Sequence, residues 1–242
     1  MLSNSSFKYS VREIELLQSI KPVEYSFKVP ELFKVSDEEK AVRWIRQLTD
    51  NNFDVITTLI EGILTPEMTE SFVGAGFDRI VYDSEFSVNF CKCCVLLYQK
   101  LQMRELYASL MKCCQSHFTS RQQWTPLEKI LISKRKTNQS DVPKMEKKTL
   151  MTKKRSFATI YLAASLLHVK FMSPSIFTFI LKDCIKSTVP DDLELASKLL
   201  ELCRKDILMF PESDKLKFAE IVPRLEKLSD AQLLQYEKLV FK

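Results

Sequence analysis

Seven cysteines and two histidines are the residues of this chain whose types invite a search for chemistry. Cys91, Cys93 and Cys94 lie close together, as do Cys113 and Cys114, with Cys184 and Cys203 further on. A zinc site would use such thiolates as closely spaced pairs carried on turns. Here they fall on amphipathic stretches, where cysteine packs as a small apolar side chain, so core packing is expected and no metal site. His117 and His168 stand near no serine or cysteine with a nucleophile signature, and no glycine-rich loop is present to cradle a phosphate. His168, on an otherwise apolar stretch, reads as an edge residue. Neither an enzyme nor a bound cofactor is expected. The chemistry that remains is charge. Between Lys134 and Arg155 lie nine basic residues (Lys134, Arg135, Lys136, Lys144, Lys147, Lys148, Lys153, Lys154 and Arg155) against Asp141 and Glu146. That local +7 leaves the other 220 residues at −2, within a net charge of +5. The positive charge is local, which makes the segment a candidate contact surface.

The elements that must position these residues read as helices. The chain has 242 residues, 45% of them apolar, and only Gly62, Gly74 and Gly76 as glycines. Hairpins and sheets need more glycine than that. No apolar run is long enough to span a bilayer, and MLSNSSFKYS lacks the apolar stretch of a secretory leader. With an odd cysteine count, reduced thiols and a cytoplasmic location are expected, with no membrane contact. Residues 1–35 read as an extension, partly disordered or docked on the domain. The domain, 36–242, starts at Ser36, which with Glu39 has capping-box spacing. Apolar stripes at helical spacing follow over 36–48, 53–63, 69–82, 86–101 and 104–117. They resume over 156–171, 173–187, 191–208, 213–227 and 230–241, the last with a second capping box at Ser229 and Gln232. Between them, 120–154 is polar, basic and interrupted by Pro143, and reads as a long basic loop with a short helix at 126–133. The outline fits an all-α fold, an α-solenoid of about five antiparallel helix pairs of HEAT-like or ARM-type repeats, with a non-repeating helical bundle as the alternative. Trp44 falls on the polar side of its helix and, with Trp124, is a candidate interface anchor or a residue buried against its neighbour.

Several pieces resemble a known family. Val42-Arg43-Trp44-Ile45-Arg46-Gln47-Leu48-Thr49, followed by Phe53, is similar to the first helix of the middle domain of eukaryotic translation initiation factor 4 gamma. Phe77-Asp78-Arg79-Ile80 with Phe86-Ser87-Val88 resembles its second repeat. Leu110-Met111-Lys112-Cys113-Cys114-Gln115 with Phe118, then Lys154-Arg155-Ser156-Phe157 with Ile160, resemble later pieces in the same order. Leu166, Lys170, Ile176, Leu193-Glu194, Lys198-Leu199-Leu200 and Lys205-Asp206-Ile207 continue the match. The resemblance spans about residues 36–230 and points to a divergent member. Ala158-Thr159 stands where the family has Gly-Asn, and Arg204 where it has Gly. The basic insertion is shorter and less acidic than usual, and the terminal tryptophan segment is missing.

The resemblance implies a scaffold that performs no chemistry. It would bind a DEAD-box RNA helicase of the initiation factor 4A type, contact RNA, and interact with initiation factor 3. Carried over by position, helicase contacts fall on Arg43, Phe53 and the segment 25–33, with Tyr25, Phe27 and Phe33, for one lobe, and on Lys205 and Asp206 for the other. Lys134, Arg135, Lys136, Lys147, Lys148, Lys153, Lys154 and Arg155 are the RNA-binding candidates, with a solvated loop as the alternative. Without interleaved aromatics such a cluster reaches only the RNA backbone. Tyr9-Ser10-Val11-Arg12-Glu13-Ile14-Glu15-Leu16-Leu17 resembles the family's cap-binding-protein motif, with Tyr9, Ile14 and Leu17 as anchors, although Glu15 occupies a hydrophobic position. A short amphipathic helix packing on the domain is the other reading of that stretch. Two rival functions remain: a related adaptor of messenger RNA splicing or decay with a different helicase, and an RNA-processing enzyme subunit or a generic armadillo-like interaction module with no helicase partner.

Overall fold

Ser36 starts the first helix as its spacing predicts: its Oγ accepts the Glu39 N–H at 3.2 Å. The expected capping box is half formed, because the Glu39 carboxylate turns to Arg43, 2.6 Å away, and leaves the cap. Asp37, Glu38 and Glu39 in the first turn suit the positive end of the helix dipole. The computed structural model describes residues 35–120, 130, 132–134, 142–186 and 190–219. The chain divides into two units, Met1–Val35 and Ser36–Lys242, and all of the described residues except Val35 belong to the second. The described helices of that unit include α1 (Asp37–Gln47), α2 (Phe53–Glu61), α3 (Thr69–Tyr82), α4 (Phe86–Leu101), α5 (Arg104–Ser120), α6 (Val142–His168), α7 (Pro174–Lys186), α8 (Pro190–Leu208) and α9 (Glu212–Ala219). No strand occurs among the described residues.

Among the described residues, short turns join α1 to α5 in succession, α6 to α7 and α8 to α9. Asn52 stitches the first: its Oδ1 accepts the Thr49 N–H at 2.7 Å and its Nδ2 donates to the Gln47 carbonyl at 2.9 Å. Gln102 closes α4 and Lys170 closes α6, both in the left-handed region at φ 52 and 59. After Lys170, the N–H groups of Phe171 and Met172 return to the Leu166 carbonyl at 2.8 and 3.0 Å. Such a left-handed closure satisfies carbonyls that a helix end otherwise leaves open.

The helices form two rows. In one, α1 packs on α3 and α3 on α5, while α7 packs on α9. In the other, α2, α4, α6 and α8 pack in succession. Each consecutive pair, α1–α2, α3–α4, α5–α6 and α7–α8, also packs together. This is the expected solenoid of helix pairs, with four pairs and the first helix of a fifth among the described residues. Between α5 and α7 lies an apolar groove of about 220 Å³ whose walls include Met111, Phe118, Ile160 and Phe179. The helix expected over 230–241, its cap residues Ser229 and Gln232, and Trp124 lie outside the described residues. Trp44 is half-buried and packs against the core.

The cysteines belong to that core. Cys91, Cys93, Cys94, Cys114, Cys184 and Cys203 are buried, and Cys113 is half-buried. Burial pushes the Cys93 thiol up to about 11 and that of Cys113 up to about 12. A thiol held protonated in this way is inert as a nucleophile.

The basic segment departs from expectation. Within the loop expected over 120–154, α6 begins at Val142 and runs without a break through Lys144, Lys147, Lys148, Lys153, Lys154 and Arg155. Pro143 does not interrupt it. It sits at the second position of the helix, where its missing N–H has no intrahelical partner to lose. Lys, Met and Glu are good helix formers, so low apolar content alone does not make this stretch a loop.

The mid-helix glycines of α3 are not equivalent. A Cβ at Gly76 would collide with the Phe90 ring, whereas one at Gly74 would meet nothing within 4 Å. Gly76 therefore lets α3 and α4 approach closely. Gly76→Ala is expected to destabilise the fold by about 1–3 kcal/mol through overpacking. Gly74→Ala is expected to stabilise it by roughly 0.5–1 kcal/mol by removing backbone entropy from the unfolded chain. Urea unfolding of the two variants beside the parent checks both signs.

Candidate functional site

The first half of α6 carries the basic residues, and its neighbours hold it in place. Arg155 meets Asp78 of α3 at 3.7 Å. Lys153 reaches Glu194 of α8 at 3.6 Å. Lys154 stands 5.7 Å from the centre of the Tyr82 ring. Exposed ion pairs of this kind contribute about 0–1 kcal/mol each, so they orient the helix more than they stabilise it. Lys144, Lys147, Lys148 and Lys154 are exposed.

Arg79 fixes the α3 wall of the site. Its guanidinium donates to the carbonyls of Arg46 and Leu48 at 2.9 and 2.6 Å, and so caps the C-terminal end of α1. It also lies 3.9 Å from the centre of the Phe86 ring and 3.5 Å from Asp83. Hydrogen bonds to a charged donor contribute about 1.5–3 kcal/mol, so this one side chain ties α1, α3 and α4 together. Beyond it, Tyr82 ends α3 with 73% of its surface exposed. Two open clefts border it. One, of about 480 Å³, is shared with Arg46, Met151 and Arg155. The other, of about 350 Å³, is shared with Leu150, Lys153 and Lys154.

The expected RNA-binding residues divide three ways. Lys147, Lys148, Lys153, Lys154 and Arg155 share α6 and are brought together. Lys134 is half-buried on a separate helical stretch. Arg135 and Lys136 lie outside the described residues. Tyr82 was invisible as part of this set, because it is far from the basic run in sequence and only packing of α3 on α6 joins them.

The expected helicase-binding residues stand on different helix pairs. Arg43 is exposed on α1 and paired with Glu39, while Phe53 is half-buried against the core at the start of α2. Lys205 is exposed near the end of α8. Asp206 faces Nδ1 of His168 at 3.3 Å, which puts His168 at the edge, as its sequence setting suggests. Leu208 and Met209 beside them are 49% and 85% exposed, an apolar edge that the sequence reading missed. Tyr25, Phe27 and Phe33, together with Tyr9, Ile14 and Leu17, lie outside the described residues.

Two comparisons return no match: no family model matches the chain, and no curated protein does. A search of solved structures matches the MIF4G domain of Trypanosoma cruzi translation initiation factor EIF4G5, with a TM-score of 0.54 and 14% identity. The match covers 85% of this chain and 94% of that one. The fold is therefore of the MIF4G type, a helical-repeat array as the sequence resemblance implies. No described helix is long and apolar enough to cross a membrane.

His117 links the basic site to the pH response of the fold. Its ring stacks on Phe77, with centroids 4.0 Å apart and planes 7° from parallel. Burial and then the charge of Arg155 lower its pKa, while Asp78 opposes them. As pH falls, the unfolded chain takes up this proton before the folded one. Stability from His117 is therefore whole above its ordinary value of 6.5 and is lost as pH falls through that value toward the lower folded one. Denaturant unfolding is expected to show a less stable protein at about pH 5.5 than at about pH 7.5. His117→Phe, which keeps a ring on Phe77, should flatten that difference.

Proposed function

We propose that this chain is a cytoplasmic scaffold of translation initiation that binds a DEAD-box RNA helicase of the initiation factor 4A type and holds messenger RNA along α6. The observation that carries the reading is the MIF4G-type helical array, matched along nearly the whole of the neighbouring domain. The placement of the candidate contacts supports it. Arg43 and Phe53 belong to the first helix pair, and Lys205, Leu208 and Met209 close the fourth, so two lobes of one partner have separate places to bind. A ligand that touches both lobes favours the state in which both contacts form. A scaffold acting this way needs no catalytic group of its own. Recruitment of the cap-binding protein through Tyr9, Ile14 and Leu17, and contact with initiation factor 3, extend the same proposal.

A binding and ATPase assay with the full chain tests it. The chain is expected to retain a purified initiation-type helicase and to raise its RNA-dependent ATPase rate. Met209→Asp and Lys205→Glu change exposed side chains, and each is expected to weaken binding by about tenfold, roughly 1.4 kcal/mol. Capture of an exon-junction or decay helicase in place of the initiation type would transfer the chain to splicing or decay. Capture of no helicase would leave an armadillo-like module without a motor partner.

A further inference from the structure

Tyr82 deepens the RNA contact proposed for α6, and its role rests on that reading. Lysines alone bind phosphates whether the nucleic acid is single- or double-stranded. The structure adds an aromatic ring to those lysines. Tyr82 is 73% exposed at the end of α3, between two open clefts, and Lys154 reaches to 5.7 Å from its ring centre. Lys147 is one turn of α6 before Leu150 and Met151, which line the clefts on either side of Tyr82.

We propose that Tyr82 is a stacking platform for one base of single-stranded RNA, with the flanking phosphates held by Lys147, Lys148 and Lys154. The charge balance supports this. Two carboxylates close to Tyr82 in sequence, on α3 and at its end, are engaged, Asp78 with Arg155 at 3.7 Å and Asp83 with Arg79 at 3.5 Å, so they do not cancel the lysines. Leu150, 53% exposed on the same cleft as the ring, adds apolar surface that a base covers well and a carboxylate does not. An acidic peptide would need only the lysines. A base inside a duplex is already stacked on both faces and has none to offer, so the ring selects single strands. Every base has such a face, so the site tolerates sequence.

Fluorescence anisotropy of the full chain tests the platform, with a labelled single-stranded RNA of about 12 nucleotides, a duplex of the same length and a polyglutamate peptide. The parent chain is expected to prefer the single strand over both others. Tyr82→Ala should weaken single-strand binding by about five- to a hundred-fold while leaving duplex binding and the salt slope unchanged. Tyr82→Phe should keep the affinity, since stacking and not the hydroxyl is used. Replacing Lys147 and Lys148 by alanine should weaken both nucleic acids and flatten the salt slope. If Tyr82→Ala binds the single strand as the parent does while the lysine variant is impaired, the platform is wrong and the RNA contact stands. Equal or tighter parent binding to the duplex or to polyglutamate also overturns the platform. If the parent binds neither RNA, the RNA contact fails and the platform with it.

Discussion

Burial of the second half of α6 is the constraint on which the remaining geometry depends. Ile160, Leu162 and Leu166 have no exposed surface, and Ala163 has 1%. Around them pack α3, α4, α5, α7 and α8, so this one helix joins the early pairs to the late ones. Truncating a fully buried leucine in such a place costs about 2–5 kcal/mol, a large part of the stability of an ordinary domain. One of its buried polar groups also joins it to α4: the Ser165 hydroxyl donates to Ser87 at 2.9 Å. Because α6 is a single run of 27 residues, about 40 Å long at helical rise, the packing of one half fixes the direction of the other.

That inheritance is what turns a basic stretch into a surface. On a free loop, the lysines would average over many arrangements and bind phosphates without geometry. On α6 they repeat at helical spacing beside α3, whose own position is set by Arg79 at the end of α1 and by the close approach at Gly76. Two stretches of the family resemblance meet here. Phe77-Asp78-Arg79-Ile80 supplies core residues, the partner of Arg155 and the α1 cap, and Lys154-Arg155-Ser156-Phe157 supplies the other side of that ion pair. The side chains of these stretches serve to join helices before they serve any ligand.

Much of this was legible from residue order. Apolar stripes placed most of the helices because burial enforces a period that the sequence must carry. Cysteines on those stripes read correctly as core residues. The helical state of Val142–Arg155 was not legible, because its apolar contact is sparse and its neighbours come from other parts of the chain. Pro143 looked like a breaker only because the helix start was not visible. Tyr82, Leu208 and Met209 carried no sequence signal, since an exposed apolar side chain at a helix end looks like any other stripe residue until packing leaves it outside.

Amide hydrogen exchange across α6 tests the central claim most directly. A helix anchored by its buried half predicts slowed exchange continuing from Ser156–His168 back through Lys144–Arg155, graded toward the N-terminal end. Exchange of Lys144–Arg155 at the rate of an unstructured chain, beside a protected Ser156–His168, would contradict it.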